Sequence, residues 1–213
     1  MQTDELIADL STDLKPVRRN TVERLLAGGL MVGAAVAFML MAFWLGMRPD
    51  MHLAMRGESF WMKACYTILV ALLGFVLASG AGRPGTQFLS FALLLPLAIA
   101  MIGGVGMAQM MHKPPNLRAA MFFGGSYTVC PWLILAISAP ILVGVLVVMQ
   151  RMAPTRPMLA GAAAGILAGG AGATVYGLHC TESSALFVAV WYSLGILGVG
   201  LIGALAGRFA LRW

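Results

Sequence analysis

Six long apolar runs, separated by short polar segments, dominate this chain. They cover residues 25–47, 64–82, 84–112, 119–150, 157–178 and 183–207, and none of them contains Asp, Glu, Lys or Arg. Each is long enough for the ~20 residues that an α-helix needs to cross about 30 Å of hydrocarbon. Because no water reaches the backbone there, each run must form a helix, and the alternation of a membrane β-strand is missing. The pattern predicts an all-α membrane protein, a six-transmembrane-helix bundle over residues 25–213.

Residues 1–24 have a different pattern, that of a short amphipathic helix. The apolar positions on one stripe of this helix are Leu6, Ile7, Leu10 and Leu14. Its polar face is acidic and includes Asp9 and Asp13, whereas a helix lying on an anionic membrane would present Lys and Arg there. We therefore expect the stripe to bind a groove on a partner protein. The alternative is a helix that packs on its own bundle or stays unattached, because short helices are only marginally stable alone.

Composition and charge support a membrane location and predict an orientation. Hydrophobic residues make up 60% of the chain and charged residues 10%, whereas about a quarter of a soluble domain is charged. Six helices place both termini on one side, which has nine of the 14 Lys and Arg residues. By the positive-inside rule, both termini are expected in the cytoplasm. The net charge of +6 fits contact with anionic membrane lipid and does not require nucleic acid. The internal loops are too short for a catalytic domain, so no enzyme activity is expected.

The polarity of the second half of the chain is concentrated between the fifth and sixth runs, at His179, Cys180 and Glu182. A second cysteine, Cys130, lies in the fourth run. Measured from the turn at residues 153–154, the two cysteines lie about 23 residues before and about 26 residues after it, or ~35–39 Å along each helix. Antiparallel helices joined by a short turn are usually neighbours. We therefore expect both thiols at similar depth near the external face.

Three interpretations of these cysteines remain open. They pack as small apolar residues, they form a structural disulfide in an oxidising compartment, or they form a reactive pair. In the last case His179 would favour the Cys180 thiolate and Glu182 would orient the imidazole. Thiolate and imidazole are also ligands for soft metals, so Cys130, Cys180 and His179 are candidates for transient metal binding, with no resident cofactor expected. Cys65 is expected near the same face, without an assigned role.

Six short motifs lie along the chain in a characteristic order and spacing. They are Thr3-Asp4-Glu5-Leu6-Ile7, Leu14-Lys15-Pro16-Val17-Arg18-Arg19, Cys130-Pro131, Ala153-Pro154-Thr155, His179-Cys180-x-Glu182-Ser183 and Trp191-Tyr192. Together they resemble the NrsF-type family, the six-helix inner-membrane anti-sigma factors of Gram-negative bacteria. The resemblance covers almost the whole chain.

The resemblance implies a partner and a signal. Members of this family hold an extracytoplasmic-function sigma factor inactive at the inner membrane until heavy-metal or oxidative stress relieves the inhibition. The family's cytoplasmic N-terminal segment corresponds to residues 1–24, so the apolar stripe would bind the sigma factor, with Asp9 and Asp13 beside it. The family's paired periplasmic cysteines correspond to Cys130 and Cys180, whereas Cys65 does not match the family pattern.

Two functions of other classes compete with this interpretation. A membrane thiol oxidoreductase would pass electrons between a cysteine pair and a quinone, which calls for two cysteine pairs or a Cys-x-x-Cys motif. The chain has three cysteines and no such motif. A metal transporter usually needs charged groups within the membrane, and the apolar runs contain none.

Overall fold

The computed structural model describes Thr3, Glu5, Ile7, Ser11, Thr12, residues 20–83 and residues 89–212. Six helices in these ranges are long and apolar enough to cross a membrane. They are α1 (Thr21–Leu45), α2 (Glu58–Ala81), α3 (Ser90–Met111), α4 (Cys130–Gln150), α5 (Pro157–Tyr176) and α6 (Ala185–Ala210). The described residues form no strand, and Thr3, Glu5, Ile7 and Ser11 are helical. The predicted all-α, six-helix membrane fold is confirmed.

Some turns of these helices depart from α geometry. The last turn of α1, Met41–Leu45, is a π-helix, and so is Val188–Tyr192 near the start of α6. A 3₁₀ turn at Leu89–Leu93 forms the start of α3. Two short helices, Met51–Ala54 and Pro115–Phe123, lie in the connections.

The six helices run alternately up and down and so define two faces. The terminal face has the start of α1 and the end of α6, and an ion pair there joins Arg83 after α2 to Glu23 in α1. The opposite face, here called the loop face, has the three longer connections, residues 46–57, 112–129 and 177–184. Hydrogen bonds link residues 177–184 to each of the other two connections, so the loop face is one connected structure.

Helix α5 lies at the centre of the bundle and packs by close backbone contact. A Cβ atom added at Gly161 would lie 2.1 Å from the Gly203 carbonyl oxygen of α6, and one at Gly165 would lie 2.4 Å from the Val199 oxygen. On the other side, a Cβ at Gly74 of α2 would lie 2.4 Å from the Leu167 nitrogen. These glycines thus allow the helix backbones to approach closely, as glycines four residues apart commonly do in membrane helices. Helices α1 and α3 lie at the periphery, with most of their surface outward.

Two span boundaries differ from the sequence prediction. Gly57 has an extended backbone (φ −85°, ψ 137°) and Glu58 begins α2 directly after it, so the helix starts six residues earlier than expected. Lys63, predicted to end a loop, instead lies in the second turn of α2 with 3% of its surface exposed. The fourth apolar run is also divided, because Gly124 (φ +59°) ends the short helix before α4 begins at Cys130. Lys63 therefore belongs to the first turns of α2 and not to the loop in which the sequence prediction placed it.

Candidate functional site

The structure brings Cys130 and Cys180 together at the loop face. Cys130 is the first residue of α4 and is 0% exposed, and Cys180 follows α5 and is 4% exposed. The hydroxyl of Tyr176, the last residue of α5, lies near both thiols. All three cysteines of the chain are free, and Cys65 is exposed on α2. The two thiols therefore share one hydroxyl group as a common neighbour.

A second tyrosine encloses this pair from the side of α6. The Tyr192 side chain is fully buried, and its ring centroid lies 5.7 Å from that of Tyr176. Cys180 is among the groups nearest to its hydroxyl, yet within the described part of the chain that hydroxyl has no hydrogen-bond partner of good geometry. The thiols thus lie in an aromatic, nearly closed environment.

Lys63 fixes the backbone of the segment that holds Cys180. Its Nζ donates hydrogen bonds to the carbonyl oxygens of Cys180 at 2.9 Å and of Glu182 at 3.0 Å. The same ammonium lies 5.7 Å from the centroid of the Tyr192 ring, within the range of a cation–π interaction. A buried charge is tolerated when its donors are satisfied, and here the two carbonyls and the ring surround it. Helix α2 is thereby tied to residues 177–184.

Glu182 ties the same segment to the start of α4. One carboxylate oxygen, Oε1, accepts hydrogen bonds from the Gly125 N–H at 2.7 Å and from the Ser126 hydroxyl at 3.3 Å. The Ser126 carbonyl in turn accepts from the Cys130 N–H at 2.9 Å. A Cβ atom at Gly124 would lie 2.7 Å from Oε2, so glycine leaves the space that the carboxylate occupies.

His179 and Arg48 join the segment to the end of α1. The His179 Nδ1 lies 2.9 Å from the Gly46 carbonyl oxygen, and Arg48 donates a 3.5 Å hydrogen bond to the Cys180 carbonyl. Arg48 also donates to both carboxylate oxygens of Asp50, at 2.8 and 2.7 Å. These bonds lower the pKa of Asp50 and raise that of Arg48, because each charge stabilises the other. The prediction that Glu182 orients the His179 imidazole was wrong, since each side chain binds a different backbone segment.

A cleft of about 310 Å³ opens at the loop face beside this network. Its lining includes Arg48, Ser126, Tyr176, His179, Cys180 and Thr181. Cys180 therefore borders a space that small molecules can enter, and Tyr176 connects that space to the buried Cys130. The arrangement can support thiol chemistry between two cysteines around one hydroxyl group.

The proposed metal ligands do not form a complete set. Among the described residues, no group of three or more His, Cys, Asp and Glu side chains is placed to hold a metal ion. The His179 Nδ1 is engaged with Gly46, which leaves Cys130 and Cys180 as the neighbouring soft ligands. The observed donor set does not fit a metal centre with His179 as third ligand.

Most residues predicted to bind a partner protein lie outside the described residues. These are Leu6, Asp9, Leu10, Asp13 and Leu14. Ile7 is described; it is helical, and 58% of its surface is exposed. Its exposure leaves it available for contact, and the binding role of the stripe stays a prediction.

Three residues of the site were not recognised from the sequence. Lys63 was assigned to a loop, although Gly57 followed by Glu58 is a helix-start pattern that would have placed it in α2. Tyr176 is the one hydroxyl-bearing aromatic in the fifth apolar run, four residues before Cys180. Gly124 gave a weaker signal, because Gly124-Gly125 marks a break within an apolar run.

Comparison with known proteins identifies the family. The family model described as "NrsF: Negative regulator of sigma F" matches residues 10–213. The chain is 39% identical to the anti-sigma-F factor NrsF of Caulobacter vibrioides (strain NA1000 / CB15N) and 35% identical to the probable anti-sigma-F factor NrsF of Azospira oryzae (strain ATCC BAA-33 / DSM 13638 / PS), with 100% of each chain covered in both cases. No solved structure matches the chain. With six membrane-type helices and a family match over nearly its whole length, the chain belongs to the NrsF family of anti-sigma factors, the negative regulators of sigma F.

Proposed function

We propose that this anti-sigma factor holds an extracytoplasmic-function sigma factor at the bacterial inner membrane through residues 1–24. Heavy-metal or oxidative stress then reaches Cys130 and Cys180 from the periplasm, and the sigma factor is released. The observation that supports this most directly is the convergence of both thiols on the Tyr176 hydroxyl at the loop face. The start of α1 and the end of α6 belong to the opposite face, so signal and partner would act on opposite sides of the membrane.

Charge supports the orientation in this proposal. Nine of the 14 Lys and Arg residues belong to the side of the termini, as expected for a cytoplasmic face. The loop face, with the cysteine pair, would then face the periplasm, where thiols are exposed to oxidants. Residues 1–24 would lie in the cytoplasm, where a sigma factor is found.

Movement of α5 is a physical route from the cysteines to the terminal face. A disulfide requires the two Cα atoms to lie within ~7 Å, and Tyr176, whose hydroxyl neighbours both thiols, would have to adjust to their joining. Tyr176 is the end of α5, and α5 contacts α6 and α2 through backbone atoms. Close-packed interfaces shift as units, so displacement of this helix end would reach the opposite face. Raising a released population from 1% to half needs ~2.7 kcal/mol, which is within disulfide energies.

Co-purification tests the proposal. The detergent-solubilised protein is isolated from its own host, and the sigma factor bound to it is measured before and after hydrogen peroxide or cadmium. We expect capture before treatment and loss of the partner afterwards, whereas Cys130→Ser combined with Cys180→Ser should retain it. Cys65→Ser is the matched control and should respond like the native protein. Normal release from the double variant would mean that the two cysteines are not required for the response and serve only in packing.

A further inference from the structure

Cys130 and Cys180 are not equivalent in their surroundings. Cys180 borders the 310 Å³ cleft and retains 4% exposure. Cys130 has none and does not line this cleft, although both cysteines belong to the same buried cluster with Tyr176 and Tyr192. A cysteine is oxidised only if the oxidant can reach its thiol. Cys180 and Cys130 differ in this access.

We infer that Cys180 is the residue attacked first by a small oxidant such as hydrogen peroxide, and that Cys130 is the thiol that resolves the product. This inference rests on the proposed function only in assuming that the pair is reactive. It adds an order of events and a modification site, the sulfenic acid of Cys180.

The two steps balance in atoms and electrons. In the first, the Cys180 sulfur attacks the O–O bond of hydrogen peroxide; one oxygen remains on the sulfur as sulfenic acid, and the other leaves as water. In the second, the Cys130 sulfur attacks the Cys180 sulfur, the S–O bond breaks, and a second water leaves with the Cys130 proton. Two thiols are oxidised to one disulfide while one peroxide is reduced to two waters.

The neighbours of Cys180 support this order. Lys63 and Arg48 bind the Cys180 carbonyl from two sides, and the Cys180 N–H donates to the Tyr176 carbonyl at 3.0 Å. The backbone of Cys180 is therefore held beside the cleft. Tyr176 both lines the cleft and places its hydroxyl near both thiols, so Cys130 and an oxidised Cys180 would react beside the same side chain.

Sulfenic-acid trapping in the purified full-length protein tests this order without any sigma factor. In a Cys65→Ser background, Cys130→Ser and Cys180→Ser variants are treated with peroxide and a dimedone-type probe, and each site is quantified by mass spectrometry. We expect Cys180 to be trapped in the first variant at least about tenfold faster than Cys130 in the second, since susceptibility follows exposure. With both thiols present, a disulfide should form and little probe should be bound. Equal trapping rates, faster trapping of Cys130, or no trapping at either site would overturn the inference.

A pair of leucine substitutions tests the cleft itself. Thr181 lines this cleft, whereas Ser183 is also exposed but lies outside it. Thr181→Leu should slow the trapping of Cys180 by roughly tenfold by filling the cleft, and Ser183→Leu should leave it unchanged. Equal rates in the two variants would show that peroxide reaches Cys180 by another path. If the order holds but peroxide does not release the sigma factor in the co-purification assay, the chemistry stands and the sensor role fails.

Discussion

The Lys63 ammonium and the Cys180 carbonyl oxygen are joined by a 2.9 Å hydrogen bond between residues 117 positions apart in the chain. The same ammonium binds the Glu182 carbonyl, so one buried side chain holds the backbone on both sides of Thr181. The position of Cys180 relative to Cys130 thus depends on a contact between α2 and the segment after α5.

Removing this contact should loosen the Cys180 segment. Lys63→Met keeps the length of the side chain but removes a donor from two carbonyl groups. The Cys180 carbonyl keeps its 3.5 Å bond from Arg48, whereas the Glu182 carbonyl loses its Lys63 donor, and a buried carbonyl left unsatisfied costs about 1–3 kcal/mol. If the state in which Cys180 is covered is destabilised by about 1.4 kcal/mol, maleimide labelling of Cys180 should become roughly tenfold faster. Cys65, exposed on the same helix, is an internal standard whose labelling should not change.

The control is Lys113→Met, which removes an exposed lysine of the same face. Its labelling rates should match those of the native protein. Identical Cys180 rates in the two variants would mean that Lys63 does not hold the segment closed.

Gly124→Ala should weaken the link between Glu182 and the start of α4. The added Cβ would lie 2.7 Å from Glu182 Oε2. The backbone of Gly124 has φ +59° and ψ −165°, a region almost restricted to glycine, in which another residue costs about 1–3 kcal/mol. The carboxylate is the end of a flexible side chain, so it would move and lose its bond to the Gly125 N–H. A lower thermal midpoint in detergent is expected.

Gly125→Ala is the matched control for this prediction. A Cβ there would lie 3.6 Å from Glu182 Oε1, an ordinary contact distance, and the N–H donor remains. An equal loss of stability in both alanine variants would rule out the specific role of Gly124.

Gly165→Ala should separate α5 from α6. Its Cβ would lie 2.4 Å from the Val199 oxygen and 2.7 Å from the Gly200 Cα, both backbone atoms, so the helices would have to move apart. Overpacking of this kind typically costs about 1–3 kcal/mol. Gly104→Ala in α3 meets nothing within 4 Å and should leave the thermal midpoint unchanged or slightly higher, because alanine favours a helix. Similar midpoints for the two variants would contradict close packing of α5.

The proposed orientation can be tested with single cysteines in a cysteine-free background. Arg56→Cys lies in the first connection of the loop face, and Arg212→Cys lies near the C-terminus; both positions are exposed. In intact cells whose outer membrane admits the reagent, an impermeant maleimide should label Arg56→Cys and should label Arg212→Cys only after lysis. The reverse pattern would invert the orientation and place the cysteine pair in the cytoplasm.

The apolar stripe of residues 1–24 should be required to bind the sigma factor. Leu10→Asp combined with Leu14→Asp would place two charges in an apolar contact, at a cost of several kcal/mol, and should abolish capture without affecting membrane insertion. Ala8→Asp combined with Thr12→Asp adds the same charge to the opposite side of a helix and should retain capture. Undiminished capture by the leucine variant would exclude the stripe as the binding element.

Much of the site followed from local features. Cys130 and Cys180 were expected at one face because the distance along each helix follows from residue number and the rise per residue. The same reasoning did not reveal Tyr176 as their common neighbour. Which side of α5 faces α4 depends on the close contact of Gly161 and Gly165 with α6. Because every face of α5 is apolar, the periodicity of its sequence does not predict how the helix is rotated.

The sequence by itself determined the six membrane helices, because hydrocarbon leaves an apolar run of about 20 residues no other way to satisfy its backbone. It also determined the ends at which the cysteines lie. Only the tertiary structure decided that Lys63 is buried and that Glu182 binds Gly125 rather than orienting His179. Both contacts join segments far apart in the chain, and their partners are backbone groups. Every residue has such groups, so they leave no signature in the sequence.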